Sequence, residues 1–264
     1  MNIAMIGRGA IAHYAARKLV EKGHRVSTFL VRPGRLEGSS RRSDGEPLFV
    51  SKVSDLPADI DRVADCAGHQ ALRAYGPDIL RAGYDLTTVS LGALADRALE
   101  AELNMAARDG GSTLTLASGA IGALDVLRAG RVGGLTSVRY IGRKPPAGWK
   151  GSPAEQKLDL ASMGDEPETH FLGDAREAAQ AYPKNANVAA AVALAGIGFD
   201  KTQAQLIADP TISTNIHQVE ATGDFGRFEF QISGNPLPDN PKSSALAAMS
   251  VVEAILNGIS DIRF

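Results

Sequence analysis

A short apolar run, Asn2 to Ile6, leads directly into Gly7-Arg8-Gly9-Ala10-Ile11-Ala12, and this junction constrains the fold more than any other feature of the chain. A strand cannot turn sharply into a helix with bulky residues at the corner, so glycine is needed at 7 for the tight turn. Glycine at 9 lets the backbone approach a ligand, and a small residue at 12 lets helix and strand pack closely. From Ala10 to Val20 the apolar residues Ile11, Tyr14, Ala15 and Leu19 recur at helical spacing. The start of the chain therefore reads as strand, turn and helix.

The pattern then repeats. A β-branched run at Val26 to Val31 predicts a second strand, and Arg62 to Ala67, Leu86 to Val89 and Thr113 to Leu116 predict three more. Helical stretches, Leu72 to Leu80 and Ala95 to Ala107, fall between them. Alternation of this kind predicts a parallel, doubly wound sheet with right-handed crossovers. In such a Rossmann sheet the first turn and the helix start that follows it hold a dinucleotide pyrophosphate, through unpaired N–H groups and a partial positive charge. Gly7, Gly9, Ala10 and Ile11 are the expected contacts, and Ala67-Gly68-His69 stands at another strand's carboxyl end, where ligands gather in open α/β sheets.

The rhythm changes at Ser118-Gly119-Ala120-Ile121-Gly122-Ala123-Leu124-Asp125. We expect residues 1–118 to form the nucleotide domain, completed by a C-terminal helix within 240–264, and residues 119–239 to form an α+β domain for substrate. Helices are expected at Asp174 to Ala181 and Ala186 to Ile197. One strand is expected in the stretch that ends at Gly142-Arg143-Lys144-Pro145, and two more at Ser213 to Thr222 and Gly226 to Ser233, joined by the turn Gly223-Asp224-Phe225-Gly226. The tail helix, Ser243 to Leu256, should pack Leu246, Met249, Val252 and Ile255 against the first domain.

Charge and composition exclude several classes. A net charge of -2 offers no general attraction to nucleic acid or to anionic membrane. No apolar run approaches the ~20 residues that span a bilayer, and the opening residues carry no secretory pattern, so a cytoplasmic enzyme is expected. The single cysteine, Cys66, excludes an internal disulfide and suits a buried, inert thiol. Metal-binding spacings and a G-x-S-x-G elbow are absent.

Strands that favour NAD usually end in an acid that holds the ribose hydroxyls, yet here the run is Phe29-Leu30-Val31-Arg32. Arg32 and Arg35 could pair with a 2′-phosphate, or be solvated loop arginines; Arg41 and Arg42 belong to the same basic stretch. The expected cofactor is NAD or NADP. Of five histidines, His13 and His24 read as surface or packing residues, and His170 lies in an acidic stretch with no evident partner. His217 lies on a predicted strand that puts Asn215, His217 and Val219 on one face, and its ordinary pKa of about 6.5 suits proton transfer near neutrality.

Long blocks of the chain resemble the L-aspartate dehydrogenase family. They include Gly7 to Ala12, Ala67 to His69, Val89 to Leu94, Gly119 to Ala123, Gly142 to Pro145, Tyr182 to Ala189, His217 to Ala221 and Asn240 to Lys242. The resemblance implies reversible oxidation of L-aspartate with NAD or NADP to iminoaspartate, which hydrolyses to oxaloacetate and ammonia or feeds NAD biosynthesis. It implies His217 as the catalytic residue and Ala120 and Asn187 as dinucleotide contacts. On this reading His217 accepts a proton from the amine or from attacking water, and the substrate lies in a cleft between domains. Arg143, Lys144 and Lys242 are candidates for the substrate carboxylates, and a homodimer is expected. Competing readings are a dehydrogenase for another small amino or keto acid, and a non-catalytic dinucleotide sensor.

Overall fold

The computed structural model describes residues 1–36, 46–238 and 240–263, with the side chains of residues 241 and 242 left aside. Arg41 and Arg42 lie outside the described residues. The chain divides into two compact units: unit 1 is Met1–Ala117 with Ala247–Phe264, and unit 2 is Ser118–Leu246.

In unit 1 the strands β1 (Asn2–Ile6), β2 (Arg25–Leu30), β3 (Leu48–Val50), β4 (Arg62–Asp65), β5 (Asp85–Thr88) and β6 (Leu114–Leu116) form one sheet in the order β3-β2-β1-β4-β5-β6. Every pairing in it is parallel. The chain winds from β1 through α1 (Ala10–Glu21) to β2 in one direction, and from β4 through α2 (His69–Arg81) and α3 (Arg97–Gly110) in the other. Crossovers that run in opposite directions from β1, with the right-handed sense usual for parallel strands, put α1 on one face and α2 and α3 on the other. The expected doubly wound α/β fold is therefore what the chain adopts.

One continuous core joins Ile3 and Met5 of β1, Ala12, Ala15 and Leu19 of α1, and Phe29 and Val31 around the end of β2. The last helix belongs to this core through Val251, Val252, Ala254 and Ile255. Val252 and Ile255 face inward as expected, whereas Met249 is exposed and Ala248 and Val251 are buried beside them. A stripe of mostly apolar residues admits more than one facing, and small alanines permit the closer approach.

Unit 2 begins with α4 (Leu124–Gly133) and the ten-residue strand β7 (Leu135–Lys144). It continues with β8 (Glu168–Asp174), α5 (Ala175–Ala181), α6 (Asn187–Ala195), β9 (Gln203–Ala208), β10 (Asn215–Gly223) and β11 (Gly226–Gly234). The sheet order is β11-β10-β7-β9-β8, with β7 and β9 parallel and the other neighbours antiparallel. The expected hairpin closes at Gly223 and Gly226, which pair across it. The short strands β12 (Pro236–Leu237) and β13 (Asn240–Ser244) lead to α7 (Ala245–Ile259). No helix among the described residues is long and apolar enough to cross a membrane.

Candidate active site

In unit 1 the corner after β1 is built around Gly7. Its φ is +85°, and a Cβ placed on it would lie 2.7 Å from the Ala67 Cβ. The residue must be glycine on both counts. Its N–H donates to the Leu30 carbonyl at 2.9 Å, which ties the turn to the end of β2, where exposed Arg32 opens a 3-10 turn that includes Arg35. Gly9 caps α1 with no side-chain hydrogen bond, and nothing lies within 4 Å of where its Cβ would be. Free helix N–H groups above open space fit a pyrophosphate. Ala10 and Ile11 are the first residues of α1.

Ala67 and Gly68 (φ +90°) form the parallel corner after β4, and His69 begins α2. Cys66 stands just past the strand and is half-buried. This corner is held by a residue that periodicity did not single out. Asp65, fully buried, accepts from the Ala67 N–H at 2.9 Å, the Thr88 hydroxyl at 2.7 Å and the Ser90 hydroxyl at 2.6 Å. Burial pushes its carboxyl up, and those three donors pull it back. The available signal was an acid inside an apolar strand run.

In unit 2 strand alternation sends Tyr140, Gly142 and Lys144 of β7 to one face, and His217 of β10 pairs directly with Gly142. His217 is 4% exposed, and its Nδ1 lies 2.8 Å from the Tyr140 hydroxyl. Burial, helped by the Lys144 charge, lowers its pKa to about 3. The imidazole is therefore neutral near pH 7, whereas its ordinary value suggested a group that titrates there. Lys144 is also buried; its ammonium donates to Asn185 Oδ1 at 3.0 Å and lies 4.9 Å from the Trp149 ring centre. Burial lowers its pKa to about 8.

The other expected contacts are dispersed. Arg143 points to the opposite face of β7, where one guanidinium nitrogen lies 3.4 Å from the buried Asp209 carboxylate and the side chain stays 37% exposed. Lys242 lies on β13. Ala120 is half-buried in the loop before α4, and Asn187 is the first residue of α6, two positions after Asn185. His170, expected to lack a partner, lies 3.2 Å from the Tyr182 hydroxyl through Nδ1 and packs edge-on against Trp149 at 4.3 Å. It occupies an irregularity in β8 between Thr169 and Phe171, and such a bulge re-aims one side chain.

Two family models meet near the first boundary between the units, and the more C-terminal of them also takes in residues 247–258 of unit 1. A family model described as "Aspartate dehydrogenase, C-terminal" matches residues 125–258, and one described as "Homoserine dehydrogenase, NAD binding domain" matches residues 7–117. An L-aspartate dehydrogenase of Ruegeria pomeroyi is 54% identical over 263 residues, covering 100% of this chain and 94% of its own. The chain belongs to the L-aspartate dehydrogenase family. A further L-aspartate dehydrogenase, of Pseudomonas aeruginosa, is 46% identical, with 97% of each chain covered. The crystal structure of an aspartate dehydrogenase from Thermotoga maritima superposes with a TM-score of 0.76 at 27% identity, covering 100% of this chain and 99% of that one.

Sequence reasoning singled out His217, Lys144 and the glycine turn, and did not single out their neighbours Tyr140, Trp149 and Asn185. Each becomes visible only through the strand pairing and the loop that follow from the fold.

Proposed function

We propose that the protein oxidises L-aspartate reversibly, with NAD or NADP, to iminoaspartate, which hydrolyses to oxaloacetate and ammonia. The observation that carries this reading is the burial of a lysine and a histidine, Lys144 and His217, on one face of the unit 2 sheet. A buried cation is costly unless something anionic answers it, and a diacid supplies two carboxylates. Lys144 would hold one of them, steadied by Asn185. His217 would be the catalytic residue at the reacting end, held by Tyr140.

When bound, the dinucleotide supplies the hydride acceptor at its nicotinamide ring. Gly7, Gly9, Ala10 and Ile11 would take its pyrophosphate, with Ala67, Gly68 and His69 at the neighbouring corner, Arg32 near the adenosine ribose, and Ala120 and Asn187 as further contacts. Lys242 and Arg143 are kept as candidates for the second carboxylate, Arg143 from the opposite face of β7 beside Asp209. Orientation of the diacid by fixed groups accounts for much of the rate in such a site.

We place the enzyme in the cytoplasm, as a homodimer that supplies NAD biosynthesis. Support for association is the open edge of the unit 2 sheet at β11, which offers unpaired backbone groups. The test is production of reduced cofactor from L-aspartate, glutamate, alanine and homoserine, with NAD and NADP assayed separately. L-Aspartate should exceed the other three by at least about a hundredfold in kcat/KM. Equal turnover of homoserine, or no turnover of any amino acid, would overturn the reading.

A further inference from the structure

The pairing of β7 with β10 sets Gly142 directly opposite His217, with Tyr140 two residues back on the same face. A Cβ at Gly142 would lie 2.5 Å from the Tyr140 hydroxyl oxygen and 3.0 Å from the ring carbon that bears it. The phenol thus crosses the space that any other residue at 142 would fill, and it ends 2.8 Å from Nδ1 of His217. Tyr140 is fully buried, and Nδ1 is its hydroxyl's one hydrogen-bond partner among the described residues.

A hydroxyl has one proton to give, and a buried donor without an acceptor is costly. If Nδ1 carried the imidazole proton and donated to the phenol, the phenolic O–H would be left unsatisfied in the interior. If the phenol donates to Nδ1, both groups are satisfied, and the single proton of the neutral imidazole sits on Nε2. Burial pushes the phenol's pKa further above its ordinary range, so it keeps that proton across the working range.

We propose that Tyr140 is a positioning residue that donates its phenolic proton to Nδ1, fixes His217 as the Nε2–H tautomer, and presents it to the substrate as a neutral hydrogen-bond donor. The inference rests on the reading of His217 as the catalytic residue and reverses its expected polarity. An Nε2–H group fits an oxygen of the amino diacid and cannot accept a proton from its amine. Gly142 is the clearance that makes the arrangement possible.

The test is nitrogen NMR of the full chain with 15N-labelled histidine, with the His217 signals assigned by their loss in His217→Ala. Nδ1 should show the shift of an unprotonated, hydrogen-bonded nitrogen and Nε2 that of a protonated one. Tyr140→Phe keeps the ring volume; it should abolish the Nδ1 hydrogen-bond signature and lower kcat/KM for L-aspartate about tenfold, with reduced-cofactor affinity unchanged. Gly142→Ala should reproduce the same spectral change. A protonated Nδ1 in the natural protein would overturn the proposal, as would wild-type kinetics in Tyr140→Phe when His217→Ala has lost activity. Full activity in His217→Ala would instead remove His217 from the chemistry altogether.

Discussion

The Lys144 ammonium is held between the Asn185 carboxamide oxygen, 3.0 Å away, and the face of the Trp149 ring, 4.9 Å from its centre. One polar partner and one aromatic face leave a buried cation under-compensated, which is why its pKa falls to about 8. A lysine is charged below its pKa, so the charge is present at pH 7 and is lost as pH rises through about 8. We expect KM for L-aspartate to climb above that point while cofactor affinity stays level. Lys144→Met should raise KM roughly ten- to a hundredfold at pH 7 and flatten the rise, as steady-state kinetics from pH 6.5 to 9.5 will show.

Two buried histidines make the fold sensitive to acid. Burial lowers His217 to about 3, with help from Lys144, and lowers His170 to about 4, with help from Lys157 and Lys144. In the unfolded chain both titrate near 6.5, so between about 6.5 and 4 the unfolded state binds more protons. Stability is therefore lost as pH falls through that window and is recovered above it. Each group should cost about 2 kcal/mol between pH 7 and pH 5. Urea melts at the two pH values should show a smaller difference for His170→Phe than for the natural protein.

Asp65 predicts a different failure. Its Oδ2 receives both the Thr88 and Ser90 hydroxyls, its Oδ1 receives the Ala67 N–H, and the Thr88 oxygen in turn accepts the Ser90 N–H at 2.9 Å. An amide in place of the carboxylate must turn its NH2 toward one set of donors. Asp65→Asn should therefore destabilise unit 1 by about 1–3 kcal/mol and weaken dinucleotide binding, because the Ala67-Gly68 corner loses its anchor. Thermal melts and fluorescence titration with reduced cofactor will measure both.

How far this could be read from the chain follows from the distance over which each feature is decided. The β-α alternation of unit 1 is local, and Gly7 carries its reason in its own φ and Cβ clearance. The strand β3, three residues long, gives too little alternation to register. β8 escaped because Glu168 and the irregularity at His170 break its period, and β9 because Gln203 and Gln205 dilute a short run. His217 was singled out by its strand and by family likeness. Tyr140 lies 77 residues away in sequence, so its hydrogen bond depends on a register that only the folded sheet sets. Lys144 looked like a solvated end-of-strand lysine; Trp149, five residues on, covers it.

The exposed arginines after β2 make cofactor choice testable. Arg32 precedes and Arg35 ends the 3-10 turn Pro33–Arg35, where β2 ends without an acid. If they answer a 2′-phosphate, replacing both with serine should raise KM for NADP about tenfold or more and leave NAD nearly unchanged. Equal changes for the two cofactors in parallel assays would assign them to the solvated surface.

Gly7 gives the sharpest prediction, because two independent physical terms act on it in the same direction. Its φ of +85° is strained for any residue with a Cβ, at a cost of order 1–2 kcal/mol. The same Cβ would collide with that of Ala67 at 2.7 Å, and Ala67 belongs to the corner held by Asp65. The turn cannot relieve one without worsening the other, since its N–H is also bonded to Leu30. Gly7→Ala should thus displace both phosphate-side corners and weaken cofactor binding at least about tenfold. Gly9→Ala has open space and an extended ψ, so the fold should tolerate it and only the close approach of the pyrophosphate should suffer. Calorimetric titration together with thermal melts separates the cases: Gly7→Ala should lose stability and affinity together, Gly9→Ala affinity alone.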